Sequence, residues 1–211
     1  MNLSRRDWLR KAAGLAACTT GAAVGANLLR RSAVKVGAPM HPALLRPPGA
    51  DDDQAFLAAC IRCGQCVEAC PTDVLKLAGP DAGLSAGTPY LIARETPCNL
   101  CEGHDDLECI AICPSEALHW KVGSEEQYLT EKLYDIRMGI AVIDFDRCLA
   151  WNDQICRSCW HACPFPDHAI ILDEMGRAVV VEENCIGCGL CDYACLTEIS
   201  SIKMVPKGAE A

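Results

Sequence analysis

Sixteen of the seventeen cysteines in this chain fall into four blocks of four, and no other feature limits the fold so strongly. The first block is Cys60, Cys63, Cys66 and Cys70, followed by Pro71. The second is Cys98, Cys101, Cys109 and Cys113, followed by Pro114. The third is Cys148, Cys156, Cys159 and Cys163, followed by Pro164. The fourth is Cys185, Cys188, Cys191 and Cys195, with Leu196 where the proline would stand. A chain that repeats its thiols so regularly folds around whatever those thiols hold.

The first block reads C-x2-C-x2-C-x3-C-P, the bacterial ferredoxin spacing for a cubane iron–sulfur cluster. Such a cluster needs four soft thiolates around a compact core. Three close cysteines let one turn of backbone wrap a face of the cube. That turn also aims backbone N–H groups at the sulfurs, which helps set the reduction potential. The fourth cysteine points away, and in two-cluster ferredoxins it ligates the neighbouring cluster. Proline after it starts a new segment, because it fixes φ and removes a donor. Each block therefore reads as half of a two-cluster unit, and sixteen thiolates supply four 4Fe–4S clusters with none left over. Disulfides and zinc are the alternatives. Repeated blocks of this spacing make an odd disulfide framework, and zinc usually takes two separated C-x2-C pairs. Haem c attachment needs C-x-x-C-H, which is absent: Glu102 follows Cys101 and Trp160 follows Cys159.

Two blocks carry insertions. Glu102–Glu108 is acidic and Leu149–Ile155 contains Trp151. Both read better as lengthened surface loops than as docking loops. The histidines (His41, His104, His119, His161, His168) are scattered and fit surface or structural roles. Trp160 and His161 sit within a cysteine block, where tuning of a cluster and plain packing are both open. No nucleophile–base pair and no phosphate loop stands out, so the expectation is an electron carrier without a substrate site of its own.

The N-terminus reads as an address. Ser4, Arg5, Arg6, Trp8 and Leu9 match a twin-arginine export signal, followed by a weakly apolar stretch from Ala12 to Ala26. That stretch is short and rich in Gly, Ala and Thr for a transmembrane span. Export after folding suits the cysteines, since clusters can then be built before the thiols meet an oxidising compartment. Cys18 follows Leu15-Ala16-Ala17, a weak lipobox, and reads as a chance cysteine rather than a lipid site. Cleavage after Ala26 or Ala38 fits the small-residue rule, with an uncleaved N-terminal anchor as the alternative.

The formal net charge is −9, and removing residues 1–26, with four bases and one acid, makes it −12. Loaded clusters deepen the negative field, which argues against nucleic acid and fits a basic patch on a redox partner. Aromatic content is 5 %, so clusters rather than rings fill much of the interior and hold the chain folded. The expected organisation is a leader over 1–38, a proline-rich linker over 39–54 and a four-cluster domain over 55–206. Short strands are expected at Val74–Leu77, Tyr90–Ala93, Ala117–Trp120, Ile140–Phe145, Ala169–Leu172, Ala178–Val181 and Ile199–Met204. A helix is expected over Glu125–Met138, with Leu129, Leu133 and Ile136 on one face. The fold class is α+β: tandem or nested double-cluster ferredoxin folds, with short helices and strands around four clusters.

Together with the leader, four segments resemble the MauM/NapG group of periplasmic ferredoxin-type proteins. They are Arg46–Ala50 (RPPGA), Cys60–Cys66 (CIRCGQC), Gly83–Tyr90 (GLSAGTPY) and Arg137–Val142 (RMGIAV). The resemblance implies a four-cluster electron-transfer subunit with nested pairing, block one with four and two with three. Cys60, Cys63, Cys66 and Cys195 would then share a cluster, as would Cys185, Cys188, Cys191 and Cys70. Cys98, Cys101 and Cys109 would take Cys163, and Cys148, Cys156 and Cys159 would take Cys113. The outer unit would be 55–80 with 178–206, and the inner unit 88–175. Local pairing, one with two and three with four, is the alternative. The resemblance further implies a membrane quinol-oxidising partner like NapH and a periplasmic acceptor such as nitrate reductase or a cytochrome. A methylamine-utilisation role like that of MauM, or a permanent β-subunit of a molybdenum oxidoreductase, remains the alternative.

Overall fold

The computed structural model describes residues 44–120, 133 and 135–207. The export-signal residues, Cys18, His41 and most of the expected Glu125–Met138 helix lie outside them. From that helix, Leu133 and Ile136 are buried against the core.

Four short helices repeat one local design. Cys66 is the second residue of Gln65–Glu68, Cys109 of Glu108–Ala111, Cys159 of Ser158–Ala162 and Cys191 of Leu190–Tyr193. We call these α2, α3, α4 and α5. The fourth cysteine of each block then leaves at the helix C-terminus. One further helix, α1 (Asp53–Ala59), leads into the first block. The Asp52 carboxylate starts it by accepting hydrogen bonds from Gln54 N at 2.9 Å and Ala55 N at 3.0 Å. Its one fully buried side chain is Phe56.

Three two-stranded antiparallel sheets connect the blocks. Lys76–Leu77 (β1) pairs with Pro89–Tyr90 (β2), placing Lys76 opposite Tyr90. Gly139–Ile143 (β3) pairs along its length with Ile202–Pro206 (β6), from Gly139 opposite Pro206 to Ile143 opposite Ile202. Ile170–Leu172 (β4) forms a hairpin with Ala178–Val180 (β5). The expected strand at Ala117–Trp120 does not form. Ala117 and Leu118 go into the core instead, and His119 N bonds singly to Gly49 O at 3.1 Å.

This topology gives two halves, and they are local rather than nested. β1–β2 and the packing of α2 on α3 join blocks one and two. β3–β6, β4–β5 and the packing of α4 on α5 join blocks three and four. The expected outer and inner units cut across these pairings. The physical reason is short connection: a two-residue strand from block one meets its partner just before block two, long before residue 178.

Part of the expected linker is core. Leu45, Pro47 and Pro48 are buried, and Leu91 N donates to Leu45 O at 3.0 Å. Arg46, only 6 % exposed, spreads its guanidinium beneath the first half. Nε donates to Asp53 Oδ1 at 2.7 Å, Nη1 to Thr88 Oγ1 at 2.8 Å and Pro89 O at 3.2 Å, and Nη2 to Ser85 Oγ at 2.9 Å. The guanidinium also lies over the Phe56 ring, 5.0 Å from the centroid. A buried cation persists only with such partners.

Arg94 ties the halves. It donates to the carbonyls of Asp192 at 2.6 Å, Tyr193 at 3.2 Å, Cys195 at 2.9 Å and Thr197 at 3.0 Å. These carbonyls lie at the C-terminal end of α5, where a cation also meets the negative end of the helix. Closer in, Gly187 (φ +82°) lies so near Gly139 that a Cβ on it would overlap the Gly139 backbone.

Candidate metal centres

The local backbone explains why three cysteines converge in blocks one, two and four. Arg62 (φ 58°), Leu100 (φ 58°) and Gly187 (φ 82°) each stand just before the second cysteine of their block in the left-handed region. A left-handed residue between extended ones curls the chain so that successive N–H groups face a common centre. Gly64 and Gly189, also left-handed, then launch α2 and α5. The insertions are absorbed outside this curl. Leu149–Asn152 becomes a single 3-10 turn, and Glu102–Leu107 ends where α3 begins.

Four sets of four thiols result. In the first site, Cys60, Cys63, Cys66 and Cys113 line a recess of about 340 Å³. In the second, Cys98, Cys101 and Cys109 gather with Cys70, which presses on each of their thiols as a like charge. In the third, Cys163, Cys185, Cys188 and Cys191 line a recess of about 310 Å³. In the fourth, Cys148, Cys156, Cys159 and Cys195 line one of about 380 Å³. The nested sets implied by resemblance are therefore not those the fold assembles. Cys113, not Cys195, meets block one, and Cys195, not Cys113, meets block three.

The sites form a row. Cys66 presses on the thiol of Cys109, linking the first site to the second. Cys98 N donates to Cys188 O at 3.0 Å, linking the second to the third. Cys159 presses on the thiol of Cys191, linking the third to the fourth.

Burial and crowding shape the thiols. Burial pushes Cys98 up to about 12, with Cys101 and Cys70 adding to it. Burial, then Cys98, Cys163 and Cys185, push Cys188 up to about 12. Burial, then Cys60 and its neighbours, push Cys66 up to about 11. Cys159 reaches about 11 by burial, then Cys148 and Cys156. Thiols so placed give up their protons to a cation held among them, which is how metal binding couples to folding. Among the described residues, no three Cys, His, Asp or Glu side chains stand close enough to hold a single metal ion. Four thiols spread round a recess suit a cube of metal and sulfide atoms better than one tetrahedral zinc.

The other candidates resolve into packing. Trp151 donates from its indole N–H to Ala178 O at 3.1 Å and stacks on Arg177, whose guanidinium lies 4.1 Å from the ring. In the acidic insertion, Asp106 accepts from Leu107 N at 2.7 Å and from Trp120 Nε1 at 3.0 Å. His104 pairs with Glu108 at 3.0 Å. Trp160 donates to Asp167 at 3.0 Å, and His161 meets its ring edge-on. Asp192, buried beside Cys191, keeps one carboxylate oxygen without a hydrogen-bond partner among the described residues.

The family comparison groups blocks one and two. The 4Fe-4S dicluster domain model matches residues 59–117, which contain blocks one and two together. The ferredoxin-type protein NapG of Escherichia coli is 41 % identical over 95 % of this chain and 83 % of its own length. NapG of Haemophilus influenzae is 37 % identical over 98 % of this chain and 73 % of its own length. The methylamine utilization ferredoxin-type protein MauM of Methylorubrum extorquens is 36 % identical over 97 % of this chain and 90 % of its own length. The chain belongs to the family of NapG and MauM ferredoxin-type proteins. A NapG/MauM-type chain has an iron–sulfur electron-transfer role, with a 4Fe–4S dicluster domain in a mixed helix and strand framework. Of the expected fold, a 4Fe–4S dicluster ferredoxin domain and the mixed helix and strand content are present, and the nesting is not.

Proposed function

We propose that the chain holds four 4Fe–4S clusters, one at each four-thiol site, and relays single electrons along the row. The observation that carries this is the geometric one: sixteen cysteines sort into four sets of four, and each set lies beside the next. Cys60, Cys63, Cys66 and Cys113 hold one end. Cys148, Cys156, Cys159 and Cys195 hold the other. The bound clusters supply one-electron chemistry, and the protein's part is to bind, insulate and tune them.

The relay works in the periplasm, reached folded through the twin-arginine signal at Ser4, Arg5, Arg6, Trp8 and Leu9. It takes electrons from a membrane quinol-oxidising protein like NapH and passes them to a periplasmic oxidoreductase such as nitrate reductase. The similarity to NapG, 41 % against 36 % for MauM, supports this over methylamine utilisation. Membrane association comes through the partner; among the described residues no helix is long and apolar enough to cross a membrane. Exposed apolar side chains at both ends of the row support protein contacts there, Ile61 at 62 % exposure beside the first site and Leu196 at 70 % beside the fourth.

Anaerobic iron quantitation with low-temperature EPR tests the cluster count. About sixteen irons per chain are expected, and fewer than about twelve defeats the four-cluster reading. Co-purification with the membrane partner, followed by quinol-dependent reduction of the clusters, tests the route.

A further inference from the structure

The four sites differ in what their borrowed cysteine receives. Cys70, Cys113 and Cys195 each have a hydroxyl two residues on: Thr72, Ser115 and Thr197. Cys163 has Phe165 there, which has no hydroxyl. Thr72 Oγ1 stands a loose 3.9 Å from Cys70 Sγ at the second site. At the first, Ser115 Oγ is 3.8 Å from Cys113 Sγ, and Leu118 N donates to that sulfur at 3.4 Å. Cys195 is different in degree. The Thr197 hydroxyl reaches its sulfur at 3.0 Å, the Ser201 hydroxyl at 3.3 Å and the Ser201 N–H at 3.4 Å. Ser201 is itself fixed, since its N–H also donates to Thr197 Oγ1 at 3.0 Å, and it is buried. Across the site, Ser158 Oγ lies 3.9 Å from Cys156 Sγ. Among the described residues, no hydroxyl hydrogen-bonds a thiol of the third site.

We propose that Thr197 and Ser201 are tuning residues that give the fourth site the highest reduction potential of the row, so that electrons collect at the Cys195 end and leave there. Reduction adds one electron, delivered through the third site from the quinol, and no bond breaks. The added negative charge spreads onto the thiolate sulfurs, so donors aimed at a sulfur favour the reduced state. The third site, buried and without hydroxyl donors, takes the lowest potential and acts as the step before the exit. This inference rests on the four-cluster relay and adds its direction.

The test is an anaerobic redox titration of the full, iron-loaded chain followed by EPR, for wild type, Ser201→Ala, Thr197→Val and Thr197→Ser. The first signal to appear on lowering the potential is expected to move to lower potential in Ser201→Ala and Thr197→Val. It should stay in place in Thr197→Ser, which keeps the hydroxyl, and the later signals should not move. Exchangeable-proton couplings on that first signal, seen by ENDOR after transfer to D2O, should weaken in the same two variants. The proposal is overturned if Ser201→Ala or Thr197→Val, with full iron, leaves the first signal unmoved, or if a later signal moves instead. A wild-type chain short of about sixteen irons would sink the four-cluster reading itself, a different failure.

Discussion

Replacing Arg46 by Met should loosen the first half of the molecule and leave the second standing. Methionine keeps an unbranched apolar stem and removes the guanidinium, and with it the contact over the Phe56 ring. What it strands is specific: the Asp53 carboxylate, the Ser85 hydroxyl and the Pro89 carbonyl lose their donor, while the Thr88 hydroxyl keeps its bond to Ser85 O. Deleting one partner of a buried, hydrogen-bonded charge costs about 3 kcal/mol or more, because the groups left behind stay out of water. Holo-protein unfolding ends in cluster loss and is irreversible, so the observable is a rate. At 1.4 kcal/mol per factor of ten, bleaching of the visible iron–sulfur absorption in guanidinium should quicken by about 100-fold if these bonds are broken in the transition state. The fast phase should carry about half of the absorbance, since Arg46 braces only the half that holds two of the four sites. A variant that bleaches within about threefold of wild type, or that loses the fourth site first, would refute this account of the Arg46 brace.

Other substitutions probe other joints. Gly187→Ala puts a Cβ into the Gly139 backbone and forces a left-handed alanine, a cost of about 3 kcal/mol or more, so iron per chain should fall by at least one cluster. Cys113→Ser and Cys60→Ser should alter the same EPR signal, whereas Cys195→Ser should match Cys148→Ser; the opposite match would restore the nested arrangement. Trp151→Phe should lose one hydrogen bond, about 1 kcal/mol in thermal stability, while the rate of cluster oxidation by a soluble acceptor stays unchanged.

Much of the site was legible because cysteine spacing is a short-range code. Block one contains its own left-handed turn and helix start, so reading C-x2-C-x2-C also reads the curl of Arg62 and Gly64. The exchange of each fourth cysteine was equally plain in principle. Which block receives it was not, because that is decided by strand pairs of two to five residues such as Lys76 with Tyr90. Segments that short carry almost no periodicity, and the family analogy pointed to nesting. Arg46-Pro47-Pro48 misled for another reason. Proline-rich composition suggests a linker, yet prolines need no N–H partner and can be buried cheaply beside an arginine whose bonds lie about forty residues away. The Thr197 and Ser201 hydroxyls had a faint signal in the sequence, a Ser or Thr two residues past three of the four block ends. Arg94 had none, since its acceptors are backbone carbonyls about a hundred residues on.

The traded cysteines set how the protein is built. With a cube at each site, as proposed, block one would need Cys113 and block two Cys70, and the same reciprocity would bind Cys163 and Cys195. Biogenesis would then proceed by couples. A chain given too little iron should divide into empty and fully furnished halves rather than fill with singly occupied ones. The loss of one cube should free the fourth cysteine of the block it is coupled to.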